Sequence, residues 1–578
     1  RYNREKDELE YFYNEPRSPH QLFTNVIHAA YADRNGNLWL STYNKGIEKI
    51  SFYTPQFHLR KVNKNISSLT ANEVRAFLQT SDNYIIIATK DGSIHFFDEK
   101  LNELGILSQN GQLNSGNKIN DMAYCMFEDS KKNIWIGTKG GGVLKLIPRD
   151  SNNKIPSYQI QRFENNPLDN NSLSNNNIYS IIEDKNGHIL IGTFGGGLNI
   201  LTEGKEGVSF INFKNKLKNY PISTCPKIRH LLLDKNNTLW VATSNGLLQM
   251  DDFLTSKMKI YHIEKLPNMS ASLSNNDVHY LHSDKKGQLW IATFGGGLLK
   301  LKDKATDHSP ATFVNYSNKE GIYNDIILSI QEDEQGNLWL SSENSISRFE
   351  PSTHYFQNYQ ILNGINDVFF SEAASLFTRK GEMLFGCNKG FYYFIPRQIK
   401  KSKEIPPIEF TRLQLFNQDV KIREKNSPLK QSITYSNIIE LTHKQSVFSI
   451  EYAALDYVNP EKIQYAFKLE NFDKDWNYVQ NQRKATYTNL PKGTYYFRVK
   501  STNNEGAMVN NEKMITIKIL PSFWETSVAY VLYGIVFLLL LYTVYYLTSI
   551  YLKLKNEVII EQKVSEIKLR FFTNISHE

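Results

Sequence analysis

The stretch DKNGHILIGTFGGG, residues 184–197, decides the fold. It opens on a tight turn at 184–187, after an apolar run at 178–183. A second apolar run ends at Thr193, a glycine turn follows at 195–197, and further runs lie at 198–201 and around 210–213. The turn aspartate can accept bonds from the backbone beyond it, and the glycines permit the positive φ that tight hairpins demand. The whole reads as one four-stranded antiparallel sheet. The unit recurs eight times, with its large apolar residue at 39, 86, 135, 190, 240, 290, 339 and 384, a mean step of about 49. One such sheet cannot bury both of its faces, so the copies must stack. Four strands in some fifty residues point to a β-propeller, with the residue at the Trp position wedged between blades. The eight copies fill about residues 1–400. The second copy, SDNYIIIAT, lacks the tryptophan and the Asp-x-x-Gly turn, so its blade is expected to be irregular.

The 578 residues are 40% hydrophobic, 13% aromatic and 22% charged, which excludes a disordered or collagen-like chain. A formal charge of +8, from 67 basic and 59 acidic residues, gives little support to direct nucleic-acid binding. Mean hydropathy of −0.45 excludes a polytopic membrane protein but not a single span. Cys125, Cys225 and Cys387 lie far apart, without a Cys/His cluster, so neither a metal site nor a disulfide framework is expected.

A residue repeated in nearly every copy serves the blade, so Asp184, Asp284 and Asp333 are read as structural. Candidate binding residues are those that break the repeat. They are the loops SLSNNN at 172–177 and SLSNN at 272–276, with Asn176 and Asn276, the turn aromatics Phe194 and Phe294, and Arg229 with His230. Amides, aromatic faces and guanidinium groups suit sugar hydroxyls and carboxylates. An anchored lyase or glycosidase would need paired carboxylates or a Tyr/His base, and no such pair stands out. A non-signalling carbohydrate-binding scaffold is the third reading.

After Pro396 the period is lost and the basic joint RQIKKSKEIPP leads into short alternating runs such as SVFSIEYAAL and TYYFRVKSTN. Residues 404–521 read as an Ig/fibronectin-like β-sandwich. Between Glu525 and Lys553 lie 27 uncharged residues, 526–552. As a helix they reach about 40 Å, beyond a hydrocarbon core of roughly 30 Å. Lys553 and Lys555 then place the carboxyl end in the cytoplasm and residues 1–525 outside. Within 553–578, Ile560, Val564, Ile567 and Phe571 step by four, three and four, a short coiled-coil seam suited to a homodimer.

Three motifs carry a family resemblance. The LWIGT-type strands with GGG turns and the opening SLSNNNIYSIIED resemble the regulator-propeller repeats of bacterial hybrid two-component sensors, best represented in Bacteroidetes. Tyr465, Trp476, Tyr487 and Tyr496, in YAFKLENFDKDWNYV and LPKGTYYFRVK, are similar to the three-tyrosine domain that follows those propellers. The closing RFFTNISHE resembles the phosphoacceptor box of sensor histidine kinases. The resemblance implies two seven-bladed propellers in succession, so the eight copies would be a β-propeller of about seven blades, residues 51–403, plus one extra blade in residues 1–50 that would end a preceding ring. It makes His577 the phosphorylated imidazole and Glu578 its acidic neighbour, which can orient the ring and take up its proton. It also implies an inner-membrane receptor with a periplasmic oligosaccharide ligand, controlling transcription of polysaccharide-use genes. The kinase and receiver domains, with ATP and Mg, would belong to a longer parent chain. This stretch alone, which holds no cofactor, is expected to be inactive.

Overall fold

The computed structural model describes residues 2–3, 7–9, 11, 22, 24–34, 36–50, 56–63, 68–149, 155–204, 207–360, 368–399, 405–424, 426–458, 460–461, 463–503 and 509–576. It divides into two compact units: Arg1–Glu404 with Asp456–Ile463 and Thr502–Met508, and Ile405–Leu455 with Gln464–Ser501 and Val509–Glu578.

The first unit holds seven four-stranded antiparallel sheets. Their innermost strands are, in chain order, Val74–Gln79, Ala123–Glu128, Ile178–Glu183, Ile228–Leu233, Val278–Ser283, Ile327–Glu332 and Phe370–Phe377, here blades 1 to 7. Each packs against the next, and the last packs against the first, so the sheets form a closed ring. Blade 7 is composite. Its strands Phe370–Phe377, Met383–Cys387 and Gly390–Phe394 are completed by His58–Arg60, which pairs antiparallel with Gly390–Phe394. The first sequence copy lies outside this ring as a three-stranded sheet, Ile27–Ala32, Leu38–Thr42 and Ile47–Ile50.

Within a blade, the turn aspartate does more than cap a hairpin. In blade 6, Asp333 Oδ1 accepts from the Asn337 amide at 2.9 Å while Oδ2 accepts from the Trp339 indole, also at 2.9 Å. The same pair joins Asp129 to Trp135, Asp234 to Trp240 and Asp284 to Trp290. Each indole is thereby fixed with its polar atom satisfied, and its body packs among residues of the following blade, as Trp339 does with Phe370 and Phe385. Blade 3 has Leu190 at the tryptophan position, and there the His188 ring takes the free oxygen of Asp184 at 2.8 Å.

Blade 1, expected to be irregular, keeps the four-stranded order, and its outermost pair has an extra shift in register between Glu103 and Gly105. The Thr80 hydroxyl accepts from the Tyr84 amide at 3.1 Å in place of the aspartate, and Asn83 adopts a φ of 67° in place of the glycine. Asparagine tolerates that region better than other residues with a Cβ. Gly297, at φ +75°, is stricter: a Cβ there would lie 2.1 Å from the Tyr316 carbonyl oxygen.

The second unit carries a sheet built on Ile408–Leu415, Val447–Ala454 and Lys484–Thr488 and a five-stranded sheet built on Lys513–Ile519, Gly493–Ser501 and Tyr465–Glu470. Tyr465 and Tyr487 are buried, the latter donating to Asp473 at 2.8 Å. Tyr496 is instead exposed, and its neighbour Tyr495 takes the buried place, donating to the Pro491 carbonyl. Trp476 lies under the Lys500 ammonium at 4.2 Å.

Helix α1, Ser527–Ile575, runs without a break from the uncharged segment through the heptad segment. It is the one helix among the described residues that is long and apolar enough to cross a membrane. Inside the apolar part Thr543 and Thr548 turn their hydroxyls back onto the Leu539 and Val544 carbonyls, so neither is left unpaired. Ile560, Val564, Ile567 and Phe571 are all exposed in the single chain.

Removing the clamp should weaken the ring. Asp333 is 3% exposed, so Asp333→Ala orphans buried donors at about 1–3 kcal/mol each, and Asp333→Asn, which keeps an acceptor, should cost less. Thermal unfolding of the two variants in detergent checks that order.

Candidate functional site at the mouth of the ring

Every innermost strand of the ring has a shift in register near its start, between residues such as Val74 and Ala76, Ala123 and Cys125, Ile178 and Ser180, or Ile228 and His230. The extra residue of a bulge is released from the ladder and re-aimed. In blades 1 to 6 this residue is Arg75, Tyr124, Tyr179, Arg229, His279 and Leu328. Blade 7 has a longer shift, between Phe370 and Ser375, which includes Glu372. The flanking turns are held at the same end by backbone bonds, Lys139 to Met122, Phe194 to Asn177 and Phe294 to Asp277. The mouth is thus assembled from positions where the copies differ.

Arg229 is its electrostatic centre. Its Nε and one terminal nitrogen grip Asp277 at 2.8 and 3.1 Å, and the other terminal nitrogen donates to Glu372 at 2.9 Å. Burial opposes ionisation of Asp277, but His279 and Arg229 outweigh it and hold the carboxyl below its ordinary range. Burial likewise opposes the charge on Arg229, and the two carboxylates outweigh it and raise the guanidinium further. His279, with its side chain 5% exposed, stands 3.5 Å from both carboxylates, and among the described residues neither ring nitrogen has a hydrogen-bond partner of good geometry.

Beside this cluster the aromatic rings form a column. Tyr124 stacks on Tyr179 with centroids 4.6 Å apart, and Tyr179 on Phe194 at 4.8 Å. Arg75 covers Tyr124 at 4.6 Å, while Lys227 and Arg229 cover Phe194 at 5.3 and 5.5 Å. Burial, with the neighbouring Tyr124 and the Glu372 charge, raises the Tyr179 phenol to about 12, so its hydroxyl stays a donor. Phe294 stacks on His279 at 5.1 Å.

Phe194, Phe294 and Arg229, singled out from the sequence, therefore come together in one place. His230 lies one step past the bulge, its ring 4.1 Å from Tyr280; burial, with some help from His282, pushes it down to about 3 and keeps it neutral. Asn176 and Asn276 are used inside their own loops, accepting from the Asn165 and Lys265 amides at 2.6 and 2.7 Å. His577 and Glu578 lie outside the described residues. Sequence reading missed Tyr124, Tyr179, His279, Asp277 and Glu372. It also gave no sign of the Asp277/Glu372 pair. That pair differs from the acid and base of a glycosidase, because Arg229 ties both carboxylates and helps hold the Asp277 carboxyl below its ordinary range.

Among known families, the two-component regulator propeller matches residues 21–44, 117–140, 172–195, 272–295 and 321–344, and the Y_Y_Y domain matches 456–520. The chain carries regulator-propeller repeats and a Y_Y_Y domain. Histidine kinase P4 of Formosa agariphila is 24% identical over 529 residues, 89% of this chain and 37% of the kinase. The extracellular domain described as that of the hybrid two component system BT3049 of B. thetaiotaomicron superposes with a TM-score of 0.60 at 24% identity, over 88% of this chain and 64% of that one. The chain thus spans less than two thirds of either relative, and the second likeness is one of fold. In regulator-propeller terms, the matched segments 117–140, 172–195 and 272–295 end on the turns that carry Lys139, Phe194 and Phe294.

The Arg229 cluster gives a pH test. With Asp277 held below its ordinary value, its contribution to stability is present above that value and is lost as pH falls through the depressed one. Without the guanidinium, the half-buried carboxylates repel and burial opposes their charge. Arg229→Met should therefore cost about 1–3 kcal/mol near pH 7 and less near pH 3, where falling pH removes the stabilisation carried by ionised Asp277. Denaturant unfolding at the two pH values measures the difference.

Proposed function

We infer that the chain is the sensing half of a membrane-bound two-component histidine kinase, with the ring mouth as its ligand site and His577 as the phosphoacceptor. The order of parts on one chain carries this reading: regulator propeller, Y_Y_Y domain, a membrane-length helix, and the sequence RFFTNISHE at its end. Lys553 and Lys555 after the apolar segment support a propeller in the periplasm and a heptad segment in the cytoplasm of a Gram-negative cell. The exposed stripe from Ile560 to Phe571 pairs with the same stripe of a second copy. A change at the mouth would reach the kinase as a shift of two continuous helices rather than through a flexible joint. An oligosaccharide ligand, and polysaccharide-use genes as the output, complete the reading. ATP and Mg²⁺ would be held by the kinase domain of the parent protein, and the His577 imidazole would take the terminal phosphoryl group as ADP leaves, with Glu578 taking up the ring proton.

Membranes containing the complete parent protein should incorporate label from γ-labelled ATP in an acid-labile, base-stable form, and His577→Gln should abolish it. Label that survives the substitution would refute the assignment. Incubation with glycans should release no new reducing ends, as a sensor requires and a glycosidase would not.

A further inference from the structure

The mouth is electrostatically lopsided. On the side of blades 4 to 7, Arg229 is neutralised by Asp277 and Glu372. On the side of blades 1 to 4, Arg75 has Glu73 at 3.5 Å, but Lys139 and Lys227 are exposed, and among the described residues neither forms an ion pair. These lysines flank the aromatic column at its two ends, Lys139 at 5.9 Å from the Tyr124 centroid and Lys227 at 5.3 Å from that of Phe194. The ring faces in the column are taken up by one another and by the two guanidinium groups. What remains for a ligand is the ring edges, which carry the positive end of the aromatic quadrupole, and the Tyr124 and Tyr179 hydroxyls. Edges, phenol donors and two unpaired ammonium groups all favour negative charge. The carboxylates of blades 1 and 2 on this arc are each held by a cation: Glu73 by Lys90 and Arg75, Asp91 by Lys118 at 2.8 Å, and Asp121 by Arg162; Glu372, whose charge reaches Tyr179, is held by Arg229.

The geometry points to an oxyanion subsite on this arc: the ligand carries carboxylate, sulfate or phosphate groups, held by Lys139 and Lys227 with the Tyr124 and Tyr179 hydroxyls donating between them. This deepens the sensing assignment by naming the chemistry of the ligand, and it rests on the mouth being the binding site. The acidic half of the mouth has the complementary task. Asp277 and Glu372 keep Arg229 from joining the anion site, so the charge on the ligand is read by the lysines.

The test is isothermal calorimetry on the whole chain in nanodiscs at low and at physiological salt. The probes are a hexuronate disaccharide, a sulfated hexose disaccharide, the corresponding neutral disaccharide and inorganic sulfate alone. At least one acidic disaccharide should bind at least tenfold more tightly than the neutral one, with affinity falling as salt rises. If sulfate alone competes at the same concentration, the subsite reads the anion; if it competes only weakly, the sugar attached to the anion contributes too, and both results agree with the proposal. Lys139→Glu with Lys227→Glu should weaken the acidic probe at least tenfold and leave the melting temperature unchanged, since both side chains are exposed. Tyr124→Phe with Tyr179→Phe, which keeps the column but removes the hydroxyls, should weaken it less. Equal binding of the neutral disaccharide, no binding of any acidic probe, or a lysine double variant with unchanged affinity would overturn the proposal. Loss of phosphorylation at His577 bears on the sensor assignment alone and leaves this binding result standing.

Discussion

A ring of blades holds its shape when its last sheet is tied to its first. Here the outer edge of Gly390–Phe394 is taken by His58–Arg60, a strand from the other end of the ring's sequence. That pairing ties blade 7 to the segment leading into blade 1, while the innermost strands Phe370–Phe377 and Val74–Gln79 pack directly. The convergence at the mouth depends on it. Arg229 of blade 4 meets Glu372 of blade 7 only because the sheets are bent into a closed circle.

The blades divide their residues between two tasks. Repeated positions build the scaffold: the Asp–Trp bond satisfies the one polar atom of a large side chain, which then packs dry against the next blade. Positions released by the bulges are free of that task, so arginine, tyrosine, histidine and leucine can occupy equivalent places without disturbing the sheets. A rigid scaffold presenting variable side chains at one end is how a single architecture can be fitted to different ligands.

Much of this was legible in the sequence because it is periodic. The step of about 49 and the turn chemistry specify blades whatever the tertiary context, and the uncharged run before Lys553 is unambiguous in length. Phe194, Phe294 and Arg229 were found because they interrupt a repeat. Tyr124, Tyr179 and His279 were not, since they lie inside strands and look like ordinary alternation; comparing the second residue of each innermost strand across the copies would have exposed them. Glu372 was hidden by the longer irregularity in its own strand. Asn176 and Asn276 looked like ligand amides, but loop amides are first claimed by unpaired backbone nearby. His58–Arg60 is three residues long and has no pattern of its own. In the sandwich, Tyr495 and Tyr496 are adjacent and alternate in facing, and the motif gave no means of telling which one is buried.

The helix that leaves the sandwich exposes Ile560, Val564, Ile567 and Phe571, which have no apolar partner among the described residues, and it is continuous with the membrane-length segment. In the proposed route, the effect of a ligand at the mouth starts from a ring that holds its shape. The most direct measurement is therefore of the closure itself. His58 and Tyr393 are register partners across the closing pair, with ring centroids 5.3 Å apart. Cysteines placed at both positions, with Cys125, Cys225 and Cys387 replaced by alanine, should form an intramolecular disulfide on mild oxidation, seen as a faster band on a non-reducing gel. A chain that stays fully reduced, or that links only to other copies of itself, would contradict the closed ring and with it the mouth.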